Sequence, residues 1–133
     1  MTNLSLFAIS HIFALCFCFC LVSIITIAET ADIKLPEIQI KNVLSASALV
    51  KVQIAGKPEI SLKFNDVYKW NVTRNEKLNS TASFGPYTVK WYAFDPSSDA
   101  GHAINYQSIT SYGIYQSFDN KTYELKAEWG LTI

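Results

Sequence analysis

Near the C-terminus, residues 123–129 alternate without a break: Tyr123, Leu125, Ala127 and Trp129 on one side, Glu124, Lys126 and Glu128 on the other. A period of two sends successive side chains to opposite faces of a pleated strand, so this stretch predicts a strand with one buried and one wet face. It is half of a longer unit, 113–129, because Asp119-Asn120-Lys121 separates it from an aromatic run ending at Phe118. Asp and Asn accept left-handed backbone and bond their own main chain, which suits a hairpin turn. A hairpin is marginal alone and needs further sheet to cover Tyr123 and Trp129. With Trp129 in a core, its truncation to Ala is expected to cost ~3–5 kcal/mol.

The rest of the chain supplies that sheet. Pro36 cannot donate to a ladder, so a first strand is expected after it, at 37–44, with Ile38, Ile40 and Val43 as its inward candidates. Residues 49–55 alternate again, Val50, Val52 and Ile54 against Lys51 and Gln53, and 59–64 set Ile60, Leu62 and Phe64 on one face. Asn65-Asp66 is a connection of hairpin type, followed by 67–73 with Tyr68, Trp70 and Val72 inward. Residues 74–81 are polar and aperiodic and read as a loop. Gly85-Pro86 opens 87–94, where Tyr87, Val89, Trp91 and Ala93 share a face; 95–102 is rich in turn formers, and 104–109 and 112–118 are further strands. No window after residue 28 carries the i, i+3, i+4 apolar spacing of a helix. The expected fold is all-β: a small antiparallel β-sandwich of seven or eight strands.

The first 28 residues are a different material. They carry no charged side chain, and nearly everything from Leu4 to Ile27 is apolar. The expectation is a secretory signal peptide at 1–28, cleaved after Ala28, ahead of one domain at 29–133. The alternative is a retained anchor, since the run could cross a bilayer of roughly 30 Å. Cys16, Cys18 and Cys20 all lie inside this segment, so the cleaved chain would have no disulfide and would rest on core packing. Fourteen aromatics follow residue 28, Trp70, Trp91 and Trp129 among them, and are expected to form that core. Eleven lysines and arginines balance eleven aspartates and glutamates, which gives no electrostatic case for nucleic acid or, after signal cleavage, for a membrane.

Three sequons fall in the domain: Asn71-Val-Thr73, Asn79-Ser-Thr81 and Asn120-Lys-Thr122. Asn71 is expected on an outer face, Asn79 in a loop and Asn120 in a turn, each open to glycosylation, with Asn79 the first choice. Asp95, Asp99 and His102 share one segment, yet a single His with two loosely spaced carboxylates is a weak metal or acid/base set. Ser97 and Ser98 lack the Gly-x-Ser-x-Gly setting of a hydrolase, and there is no Gly-rich phosphate loop. The expectation is a non-enzyme with no cofactor and no metal. Tyr92, Tyr106, Tyr112 and Tyr115 are aromatic positions that alternation can turn outward.

Several of these residues stand in a recognisable order. Tyr68-Lys-Trp70-Asn-Val72-Thr-Arg-Asn75, followed by Leu78, Thr81 and Phe84, resembles the YxWxFxxN…T…F signature of the plant self-incompatibility S1 family, the S-protein homologues. Residues 52–57 are similar to its VHCKSK stretch, and Trp91 with Phe94-Asp95 to its W…FD segment. Ile109, Gly113-Ile114-Tyr115, Tyr123-Glu124-Leu125 and Trp129 are similar to its closing WxIxxDGxY…YxLxxxW. Each piece is short, and the strength lies in their order along the domain. Members usually carry two disulfides; here Ile54 and Asn105 stand where cysteines are expected, Asn65 replaces a Gly, and Tyr112 replaces an Asp.

The resemblance implies a small secreted β-sandwich acting as an extracellular signalling ligand, read by a cell-surface receptor protein as in self-pollen rejection. Recognition concentrates on loops carried by a rigid scaffold, which points to 75–80 and 96–102 and to Asn75, Glu76, Lys77, Asp99 and His102. The alternative is an extracellular carbohydrate- or protein-binding module without a signalling role, with Tyr92 and Tyr115 as stacking platforms.

Overall fold

The computed structural model describes residues 33–132; the expected cleavage point and the alternative anchor fall outside them. Among the described residues no helix is long and apolar enough to cross a membrane. The chain runs through β1 (Glu37–Asn42), β2 (Val50–Ile54), β3 (Ile60–Leu62), β4 (Val67–Asn71), β5 (Leu78–Phe84) and β6 (Tyr87–Phe94). A single turn of helix, α1 (Pro96–Asp99), precedes β7 (Ile104–Ile109), β8 (Gly113–Ser117), β9 (Glu124–Glu128) and β10 (Gly130–Leu131). Two five-stranded sheets result, ordered β4-β1-β7-β8-β9 and β10-β6-β5-β2-β3. This is the expected all-β sandwich, with β5 and β10 beyond the strands read from sequence. One pair departs from antiparallel: β1 runs parallel to β7, Glu37 beside Ile104 and Asn42 beside Ile109.

The missed strand has a physical explanation. β5 fills its inward positions with Ser80 and Ala82, both buried, instead of large apolar residues. The Ser80 hydroxyl donates to Trp91 O at 2.8 Å, which lets a polar residue sit inside. Small inward residues leave no hydrophobic alternation, so the stretch reads as loop. Asn79 therefore lies on a strand, exposed, beside a bulge between Leu78 and Asn79.

The core differs from its expected composition. Ile38, Ile40, Val50, Val52, Ile54, Val89, Ile109 and Ile114 fill it, and among the aromatics Trp91 and Phe94 join them. β-Branched side chains from two facing sheets interdigitate in the narrow layer between them. Trp70 and Trp129 are half-buried at its margins. Phe64, in the turn that follows β3, and Tyr87, at the start of β6, both expected inward, are exposed, 39% and 44% respectively.

Polar bonds tie the layers together. Gln107 in β7 donates to Ala93 O at 2.7 Å and accepts the Trp91 indole N–H at 2.8 Å, joining β7 to β6 across the core. At the other end Asn42, fully buried, donates to Ala48 O at 3.1 Å and Leu62 O at 2.9 Å and accepts from Leu44 N at 2.9 Å.

The C-terminal hairpin forms as expected, with Asn120 at φ 59° in its turn. Its alternation is broken, however. Ile114 pairs with Ala127 and Tyr115 with Leu125, so Lys126 is an extra residue in a bulge. Leu125 is thereby moved beside Tyr115, away from the face of buried Ile114, and is 42% exposed. Gly113 lies at φ 149°, and a Cβ there would stand 2.0 Å from Ala127 O, so glycine is required for β9 to approach.

Candidate functional site at the loop end

Strand registers decide which loops share an end. Asn71 lies across from Glu37, Glu37 beside Ile104, and Tyr106 across from Ser117. The loop after β4, the segment before β7 and the hairpin turn after β8 therefore leave one sheet together. In the other sheet Ile54 faces Ser80 and Leu78 faces Phe94, which brings the turn after β2, the start of β5 and α1 to the same end. Asn75, Glu76 and Lys77 are exposed there, and Asn71, Asn79 and Asn120, all exposed, head their sequons around this same rim.

Asp95 caps α1. Its Oδ1 accepts from the Ser97 hydroxyl at 2.8 Å and from Ser97 N at 3.0 Å, and these bonds, the hydroxyl first, hold its carboxyl below the ordinary range. Asp99, expected to face a receptor, is instead 1% exposed. It accepts from Asp95 N at 2.8 Å, the Ser98 hydroxyl at 2.9 Å and Gln116 Nε2 at 3.0 Å. A carboxylate taken out of water needs such donors, so Asp99 serves to fasten α1 to β8. Both serines are occupied in this capping network. His102 is exposed and stacks on Phe118, ring centroids 3.7 Å apart and planes 8° apart, joining the loop before β7 to the hairpin.

The hairpin turn is held by Asp119. Its Oδ1 accepts from Thr122 N, Lys121 N and the Ser117 hydroxyl, each at 2.8 Å. These bonds, the Thr122 amide first, lower its pKa from 3.8 to about 2. The Asp119-Asn120-Lys121 pattern marks a turn, and the three donors around its acid make Asp119 the clamp.

Two clefts open at this end. One, of about 350 Å³, lies between α1 and the hairpin, lined by Asp99, Gln116, Asp119, Glu124 and Lys126. The other, of about 550 Å³, lies between the turn after β2 and the loop after β4, lined by Lys57, Trp70, Asn71, Arg74, Glu76 and Lys77. The second was missed because Lys57 and Trp70 come from separate stretches that read as turn and core. Among the described residues no group of three or more His, Cys, Asp or Glu is placed to hold a metal ion. Tyr92 is 44% and Tyr112 74% exposed, whereas Tyr106 and Tyr115 are half-buried. Tyr112 belongs to the opposite end, with exposed Leu49, Phe64 and Leu131.

These features define a two-sheet sandwich with the 95–103 segment, three further connections and two polar clefts gathered at one end. Compared with protein-family models the sequence matches none, and a search of curated proteins finds no match. A solved structure of SPH (self-incompatibility protein homologue) proteins, described as a widespread family of small, highly stable, secreted proteins from plants, superimposes with a TM-score of 0.60. The match covers 73% of this chain and 96% of that one at 17% identity, a likeness that shows a shared fold.

Proposed function

We propose that this chain is a secreted extracellular signalling ligand, recognised by a cell-surface receptor protein through the loop end of its sandwich. The observation that carries this reading is the fold match across 96% of a chain described as a small secreted plant protein. The collinear order of Tyr68-x-Trp70, Phe94-Asp95 and Gly113-x-Tyr115 supports it. Exposed Asn75, Glu76, Lys77 and His102 form the contact face, and the buried Asp99 holds that face in position. Glycans on Asn71, Asn79 or Asn120 stand on its rim and become part of what the receptor reads. The protein works without catalysis, as a shaped surface carried on a rigid scaffold.

The test is binding of the labelled protein, purified from expression of the full chain, to cell surfaces. Saturable binding that competes with unlabelled protein and falls when Asn75, Glu76 and Lys77 are together changed to Ala supports the proposal. Non-saturable binding, or binding indifferent to that triple change, overturns it.

A further inference from the structure

We propose that the larger cleft is a binding site for an acidic oligosaccharide, a short chain of uronic-acid sugars. This goes beyond the receptor reading and stands without it. The wall of the cleft, of about 550 Å³, carries Lys57, Arg74 and Lys77 against the single carboxylate of Glu76. In a chain of zero net charge that is a local excess of cations. Trp70 supplies a different chemistry in the same wall. Its indole packs on Tyr68, with centroids 5.1 Å apart and planes tilted by 35°, and the Lys57 ammonium stands 5.7 Å from the ring centroid. The indole N–H is shut from solvent and has no hydrogen-bond partner. A buried donor left unpaired is unfavourable and calls for an acceptor.

Lys57 sits in the turn after β2, next to Gly56 at φ 78°, on a long flexible stem. Swinging that stem aside bares the indole face, while the unpaired N–H lies at the edge of the ring, in its plane. A sugar ring then lays its C–H face on the indole, where the ammonium stood, and a hydroxyl of the adjoining sugar reaches the ring edge to accept from the N–H. The carboxylate of a uronic acid meets Lys57 and Arg74 as a charge-assisted pair. A neutral sugar gives Lys57 and Arg74 no anion to meet, Lys77 already lying over the Tyr92 ring at 4.9 Å, and a bare inorganic anion leaves the indole unused. The ligand that answers both is a polyhydroxylated ring bearing a carboxylate.

The experiment titrates the protein, purified from expression of the full chain, with a short oligogalacturonate, following tryptophan fluorescence and heat. A neutral galactose oligomer of the same length and inorganic phosphate serve as controls. The expected result is saturable binding of the uronate, weakened by salt and weakened roughly tenfold or more by K57A combined with R74A, and by W70F. The double variant changes surface side chains, so it remains informative should W70F fail to fold. Because Asn71 lies in the wall and heads a sequon, N71Q is titrated alongside, and saturable binding by either form supports the site. The proposal is overturned by absence of saturation in both forms, by equal binding of the neutral oligomer or of phosphate, or by unchanged affinity in K57A/R74A.

Discussion

Asn42 and Asn105 are both 0% exposed, yet the same substitution is expected to move stability in opposite directions. Asn42 spends its amide on three bonds, to Ala48 O at 3.1 Å, to Leu62 O at 2.9 Å and from Leu44 N at 2.9 Å. Asn105 makes none: both its Nδ2 and its Oδ1 are buried without a partner. Asn42→Leu removes about 1 kcal/mol of net bonding per contact and strands carbonyls on Ala48 and Leu62, each desolvation adding to the loss. The buried isobutyl group returns part of this through apolar transfer. The net expectation is a loss of about 3 kcal/mol. Asn105→Leu removes two unsatisfied atoms and gains the same transfer term, so it is expected to stabilise by about 1–2 kcal/mol. Urea unfolding of the two variants beside the parent reads both, with m unchanged if the unfolded state is unaltered. In melting temperature the Asn42 variant should fall by roughly 12–24 °C, at about 4–8 °C per kcal/mol for a domain of this size. Equal shifts of the same sign would refute the reasoning, since side-chain size, and not hydrogen bonding, would then decide.

Gly113→Ala sets a Cβ 2.0 Å from Ala127 O at a φ of 149°, and backbone cannot rotate away as a side chain can. A loss of about 2–4 kcal/mol is expected in denaturant unfolding, and a loss below about 0.5 kcal/mol would contradict the β8–β9 geometry. Trp129 is half-buried and its indole N–H donates to Thr110 O at 2.7 Å, so Trp129→Ala is expected to cost about 2–3 kcal/mol, less than a fully buried aromatic. Asp119 contributes stability that is fully present above pH 3.8 and lost as pH falls toward about 2, because its folded pKa lies below its ordinary value. Asp119→Asn should therefore flatten the acid limb of a stability–pH curve in that window, and parallel limbs for parent and variant would contradict the clamp.

Alternation makes most of the sandwich legible in the sequence, because one face of each major strand is lined by large apolar residues. It failed where the inward positions are small, as at Ser80 and Ala82, and where a bulge shifts the phase, as at Lys126. It also overstated the aromatics, since a bulky ring can meet water where a strand has given way to a turn, as at Phe64, or has just begun, as at Tyr87. For the site, turn chemistry located the loops, but strand registers brought them to one end. Asp99 shows the remaining gap: an acid in a turn-rich segment reads as exposed until three donors are found around it.

The proposed receptor role is tested at the level of single segments by hydrogen exchange on the protein, purified from expression of the full chain, with and without the cell-surface preparation it is proposed to bind. The loop-end reading predicts new protection at 73–77, 101–103 and 118–122, with the far end exchanging as in the free protein. Protection centred instead on 43–48, 63–66 and 110–112, the end where Phe64 and Tyr112 are exposed, would contradict it.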